Sequence, residues 1–182
     1  MTVDLKSELA RVLSRNSFVS EGIDVAMAAE QEGADAYKLL VSKTRFQDEK
    51  DFFHFMAGQE ELHYQQLGEL KKSLISAGNY LALSKSPASE MVPKIFAKKR
   101  EEWNKRVRPP SQEELQSILD AMDLEKAFRD FYKGIAGRLE KTAGDPVGIA
   151  FFDGLAEWEQ AHYDYLDQLF EGITYPQQYT LG

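Results

Sequence analysis

Three observations predict an all-α protein folded as a four-helix bundle of two antiparallel helix hairpins joined by a long crossover. Apolar residues recur at helical spacing along nearly the whole chain, with no convincing alternating strand. Two of the connections between long helical segments are short, whereas the middle one, from Gly78 to Pro110, runs for roughly thirty residues. The second half of the chain also repeats the plan of the first.

The elements follow in order. Residues 1–19 carry the amphipathic stripe Leu5, Leu9, Val12 and Leu13 and read as an accessory helix. The bundle domain is expected over 20–182. Its first long helix spans 20–43, with Ile23, Met27, Ala34 and Leu40 inward, and breaks at Lys43-Thr44-Arg45. A second runs from Asp48 to Ala77, where Gly78-Asn79 supplies a C-terminal stop. A minor helix is expected within the crossover, over 89–103. Pro109-Pro110 end the crossover, and Ser111 with Glu114 forms a capping box for the third long helix, which continues to Gly144. Asp145 caps the fourth, with Pro146 in its first turn. That helix carries Phe152, Leu155, Leu166 and Leu169 to Gly172, and residues 173–182 read as a tail.

Composition narrows the chemistry. The 182 residues include 22 basic and 30 acidic side chains, a formal net charge of −8, and no cysteine. Disulfides, cysteine-ligated zinc, iron–sulfur clusters and thiol nucleophiles are excluded, so any metal must be held by carboxylate and imidazole. The acidic balance argues against nucleic acid as a partner. No run approaches the roughly 20 apolar residues of a membrane span, and the N-terminus lacks an apolar signal core, so a cytoplasmic location is expected.

The internal repeat locates the candidate site. Residues 26–37 align without gaps on 121–132, matching Ala26 with Ala121, Met27 with Met122, Glu30 with Glu125 and Tyr37 with Tyr132. In the following helices Glu60 matches Glu159, His63 matches His162 and Tyr64 matches Tyr163. Each half therefore offers Glu with Tyr seven residues later, then Glu-x-x-His. At about 100° per residue, Glu60 and His63 stand one turn apart on one face and can reach a single point, as can Glu159 and His162. With 18 glutamates in 182 positions, Glu three residues before a given histidine arises by chance about one time in ten. Two matched pairs at equivalent repeat positions are far rarer. Glu30 and Glu125 lie among inward apolar positions, where burial without a cation would be prohibitive. Two divalent ions among four carboxylates and two imidazoles make a neutral site, and would leave about −4 of the charge outside.

These motifs resemble the rubrerythrin-like branch of the ferritin-like superfamily, over residues 26–67 and 121–169. The resemblance implies a ferritin-like bundle with two iron ions, Glu60 and Glu159 bridging them, His63 and His162 as terminal ligands, and Glu30 and Glu125 as terminal carboxylates. It also implies that Tyr37 and Tyr132 donate to ligand carboxylates; the same i+7 spacing suits an interior aromatic equally well. Two departures stand out. Rubrerythrins proper carry an extra glutamate three residues after the third-helix ligand, where this chain has Phe128, and a four-cysteine rubredoxin domain, which this chain lacks. Electrons would then come from an external donor such as a rubredoxin-like protein or a reductase.

The expectation is a non-haem di-iron oxidoreductase reducing peroxide or dioxygen, as a homodimer or small homo-oligomer. The alternative is a ferritin-like protein that oxidises, stores or handles iron. Manganese or a mixed manganese–iron pair would suit the same ligands. Other conspicuous residues have plainer readings. His54, preceded by Asp51, has no repeat counterpart and reads as surface or packing; Trp103 and Trp158 read as packing residues. The basic stretch from Lys94 to Arg108 reads as a solvated face. Glu32, Glu61 and Glu157 stand off the inward stripe.

Overall fold

The computed structural model describes residues 4–15, 17–45, 47–78, 80, 110–142 and 145–175. Among these the chain is all-α: α1 (Leu5–Leu13), α2 (Phe18–Lys43), α3 (Gln47–Ala77), α4 (Gln112–Thr142) and α5 (Pro146–Thr174), with no strand. No described helix is long and apolar enough to cross a membrane.

The punctuation read from the sequence forms as expected. The Ser111 amide donates to Glu114 Oε2 at 2.6 Å and the Glu114 amide to Ser111 Oγ at 3.2 Å, a reciprocal capping box. Asp145 Oδ1 accepts from the Val147 and Gly148 amides at the start of α5, with Pro146 in the first turn. Gly78 ends α3 with φ +68°, a left-handed conformation that a side chain resists. A cap not anticipated closes the α2–α3 turn: the Thr44 hydroxyl donates to the buried carboxylate of Glu49.

Two boundaries differ from expectation: the first long helix starts at Phe18 instead of 20, so that Phe18 and Val19 belong to it and not to the accessory helix, and the fourth ends later than Gly172. The fourth long helix passes through Gly172 and ends at Thr174, because Gly172 is buried and Ile173 packs into the core, so 173–175 are not tail. The third runs through Thr142, and residues 143–144 lie outside the described residues. The expected minor helix at 89–103, the basic stretch with Trp103, and the rest of the tail lie outside the described residues.

The most extensive packing joins α2 to α3 and α4 to α5, the two pairs with short connections. The apolar core divides into two clusters. One is built from α1, residues 18–29 of α2, Leu67 and Leu70, and 128–139 with 151–156. The other is built from Tyr37, residues 52–57, 118–122 and 166–173. The gap between them falls on residue 30 in α2, 60–63 in α3, 125 in α4 and 159–162 in α5. Helical periodicity thus places one polar layer between two apolar ones, and the apolar layers hold it dry.

Helix α1 lies across α2 and α4 with Leu5 and Val12 in the first cluster. It approaches closely because Gly134 has no side chain: a Cβ there would stand 2.8 Å from Leu9. Gly134→Leu is therefore expected to lever α1 off, costing about 1–3 kcal/mol. Gly137, one turn on, has nothing within 4 Å of a Cβ, so Gly137→Ala should stabilise by about 0.5–1 kcal/mol through helix propensity alone. Urea unfolding of both variants checks the pair; equal midpoints would defeat the account of α1.

Candidate metal centre

All six residues singled out by the repeat meet in the polar layer. Glu30, Glu60, His63, Glu125 and Glu159 are 0 % exposed and His162 is 2 % exposed. Their atoms form two groups, Glu30–Glu60–His63–Glu159 and Glu60–Glu125–Glu159–His162, each with its candidate ligand atoms within 4.8 Å of one another. Glu60 and Glu159 belong to both.

The shared pair is oriented for sharing. Glu159 sets Oε1 3.0 Å from His63 Nδ1 and Oε2 3.2 Å from His162 Nδ1. Glu60 sets Oε2 3.3 Å from His63 Nδ1 and Oε1 3.3 Å from His162 Nδ1. Each carboxylate therefore lies between the imidazoles with one oxygen toward each. The imidazoles stack with centroids 5.3 Å apart and rings 14° from parallel, both turning Nδ1 inward.

The outer carboxylates belong to one histidine each. Glu30 Oε2 is 3.4 Å from His63 Nδ1, and Glu125 Oε2 is 3.2 Å from His162 Nδ1. Their other oxygens are taken from the opposite helix pair: the Tyr132 hydroxyl donates to Glu30 Oε1, and the Tyr37 hydroxyl donates to Glu125 Oε1. Each tyrosine thus serves the glutamate of the opposite pair of helices. These crossed bonds also show that α2 and α4 run antiparallel.

Electrostatics in the absence of metal are strained. Burial, reinforced by the charges of Glu159 and Glu60 respectively, pushes Glu30 and Glu125 well above the ordinary carboxylate range. Burial opposes the charged form of the histidines, yet the surrounding carboxylates win and hold His63 and His162 well above their usual 6.5. At Glu60 and Glu159 burial also acts upward, but the facing imidazoliums outweigh it and lower both. Tyr37 and Tyr132 are pushed up by burial and by the carboxylates they serve, so both remain donors. Both oxygens of Glu60 and of Glu159, Glu30 Oε2 and both nitrogens of His63 are buried with no hydrogen-bond partner among the described residues. Acceptors and imidazole nitrogens left facing one another in a dry layer fit cations, which satisfy them all at once.

Two contacts around the centre were not read from the sequence. The Phe128 ring lies over Gly33: a Cβ on Gly33 would be 3.1 Å from Phe128 Cε2 and 3.4 Å from Glu60 Cγ. Gly33 and Phe128 are repeat equivalents, so their size complementarity was a usable signal. Trp158 packs against His63 with ring centroids 4.8 Å apart and planes tilted by 34°, a packing role as expected but one placed directly on a candidate ligand. His54, Glu61 and Glu157 are exposed and Glu32 half-buried, and all four lie outside both groups. Comparison with protein-family models, with curated proteins and with solved structures finds no match to this chain.

A pH dependence follows. Glu30, Glu125, His63 and His162 all bind their protons more tightly folded than unfolded. Their contribution is complete below the unfolded values and is lost as pH rises through the folded ones. The metal-free protein is therefore expected to melt at progressively lower temperature as pH rises above about 4.5 and on through 6.5, whereas Glu60 and Glu159, shifted the other way, lose their contribution only below about pH 4.5. Protection by added divalent metal should grow over the same rise, since ligation competes with protons. Calorimetry with and without metal checks both slopes, and a metal-free Tm that climbs across this window would refute the assignment.

Proposed function

We propose that this chain is a ferritin-like four-helix bundle of the rubrerythrin-like kind, a cytoplasmic di-iron oxidoreductase that reduces peroxide or dioxygen. The single observation that carries the reading is the dry layer of four carboxylates and two imidazoles, two of the carboxylates facing both imidazoles. Glu60 and Glu159 would bridge, His63 and Glu30 would complete one ion's shell, and His162 and Glu125 the other's. A bound iron pair supplies the electrons and Lewis acidity for cleaving an O–O bond.

The chain's own residues do the rest. Tyr132 and Tyr37 each hold one oxygen of Glu30 and Glu125, so that the other oxygen is presented inward at a set orientation. The same hydroxyls keep a proton beside each outer carboxylate. Phe128 over Gly33 excludes water from the face nearest Glu60 and occupies the place of the extra rubrerythrin glutamate, favouring a minimal six-ligand set. No side chain is required as a nucleophile. With no cysteine in the chain, electrons would be delivered by a separate rubredoxin-like protein or reductase, to a homodimer or similar small assembly.

Elemental analysis is expected to give two irons per chain. Anaerobic loading with ferrous iron followed by a peroxide pulse should oxidise the bound metal faster than free ferrous ion; no acceleration would overturn the enzymatic reading. A closed shell of many subunits on size exclusion would favour iron storage instead. The sharing of Glu60 makes a sharper prediction: Glu30→Ala should retain about one ion per chain and Glu60→Ala should weaken both. Tyr37→Phe should cost about 10–100-fold in metal affinity, measured by competition with a chelator.

A further inference from the structure

A liganding imidazole is ordinarily fixed by the hydrogen bond that its outer ring nitrogen donates to a carboxylate, a carbonyl or water. With Nδ1 turned toward the carboxylates, that duty falls to Nε2. His63 Nε2 is buried and has no hydrogen-bond partner among the described residues. Turning the ring over would carry Nδ1 away from Glu30, Glu60 and Glu159, which stand 3.4, 3.3 and 3.0 Å from it. The angle of this ring has to be set by packing.

Trp158 is in place to set it. Its ring centroid is 4.8 Å from that of His63, with the planes 34° apart. Trp158 is half-buried and packs against the first apolar cluster, so the indole is itself anchored. The contact crosses between the helix pairs, since Trp158 belongs to α5 and His63 to α3. It is also one-sided. The repeat that matches Glu159 with Glu60 matches Trp158 with Gln59, and a glutamine has no ring to lay against His162.

We propose that Trp158 is a positioning residue for His63: its ring supplies the orientation that a hydrogen bond to Nε2 would otherwise supply, and it does so at one ion position of the two. The proposal rests on the metal-centre reading. It makes the two positions unequal through a residue that is not itself a candidate ligand.

Zinc titration of the full-length protein against a competing chelator tests it, with bound ions counted by elemental analysis. Zinc accepts carboxylate and imidazole ligands and has no redox chemistry, so the readout is affinity and not turnover. Trp158→Gln, which installs the residue of the other half, should weaken one of the two ions at least about tenfold and leave the other unchanged. Trp158→Phe, which keeps a ring, should bind both ions as the unsubstituted protein does. In a Glu30→Ala background, where the His162 position alone is retained, Trp158→Gln should have no further effect. Should Trp158→Gln fail to fold, Trp158→Leu, apolar but without a ring, takes its place with the same expectations. Equal weakening of both ions, no weakening of either, a Phe variant as weak as the Gln variant, or an effect that persists in Glu30→Ala would overturn the role of Trp158 and leave the metal centre standing. No zinc bound by the unsubstituted protein would overturn both.

Discussion

Everything else in this molecule is arranged around the cost of burying four carboxylates and two imidazoles in one layer. Isolated, each such charge would be expelled by desolvation. The layer persists because every helix of the two pairs contributes to it at one level, and because apolar clusters close it above and below. The carboxylates and imidazoles compensate one another only in part: two carboxyls are driven toward the neutral form while two are held charged by the facing imidazoliums. Cations would resolve the remainder, and the buried atoms without partners lie where cations would use them.

The crossed tyrosine bonds tie fold and site together. Tyr37 and Tyr132 each reach from one helix pair to the outer carboxylate of the other, so the docking of the pairs and the orientation of the candidate ligands are one interaction. A shift between α2 and α4 would release both carboxylates from their donors. Gly33 and Phe128 act at the same seam: the glycine makes room for the ring beside Glu60. The pseudo-symmetry is thereby broken where it would otherwise place two equal residues against each other. The same breaking recurs outside the layer, where Gly134 makes room for Leu9 of α1 while its repeat equivalent is Leu39.

Much of this was legible in the residues. Helical spacing, the Ser111–Glu114 box, Asp145 with Pro146 and Gly78 are local features, set by hydrogen bonds and sterics within a turn or two, and they formed as read. The six candidate ligands were legible because a repeat preserves spacing, and spacing on a helix is direction. The error at Gly172 has the same origin: a glycine is a stop signal only where no neighbouring helix buries it, and burial is not a local property. Glu49 was missed because a lone glutamate at a helix start carries no periodic mark; only its Thr44 partner and its burial single it out.

By itself the sequence determined the all-α class, the helix starts, and which six side chains share inward faces, since these depend on φ/ψ preference and on the 3.6-residue period. The tertiary structure decided the rest: that the six share one layer, that Glu60 and Glu159 each address both histidines, that each tyrosine serves the opposite pair, and that α1 packs over Gly134. Those outcomes depend on the register and separation of helices far apart in the chain. Packing of whole side chains sets these distances, and no local spacing encodes them.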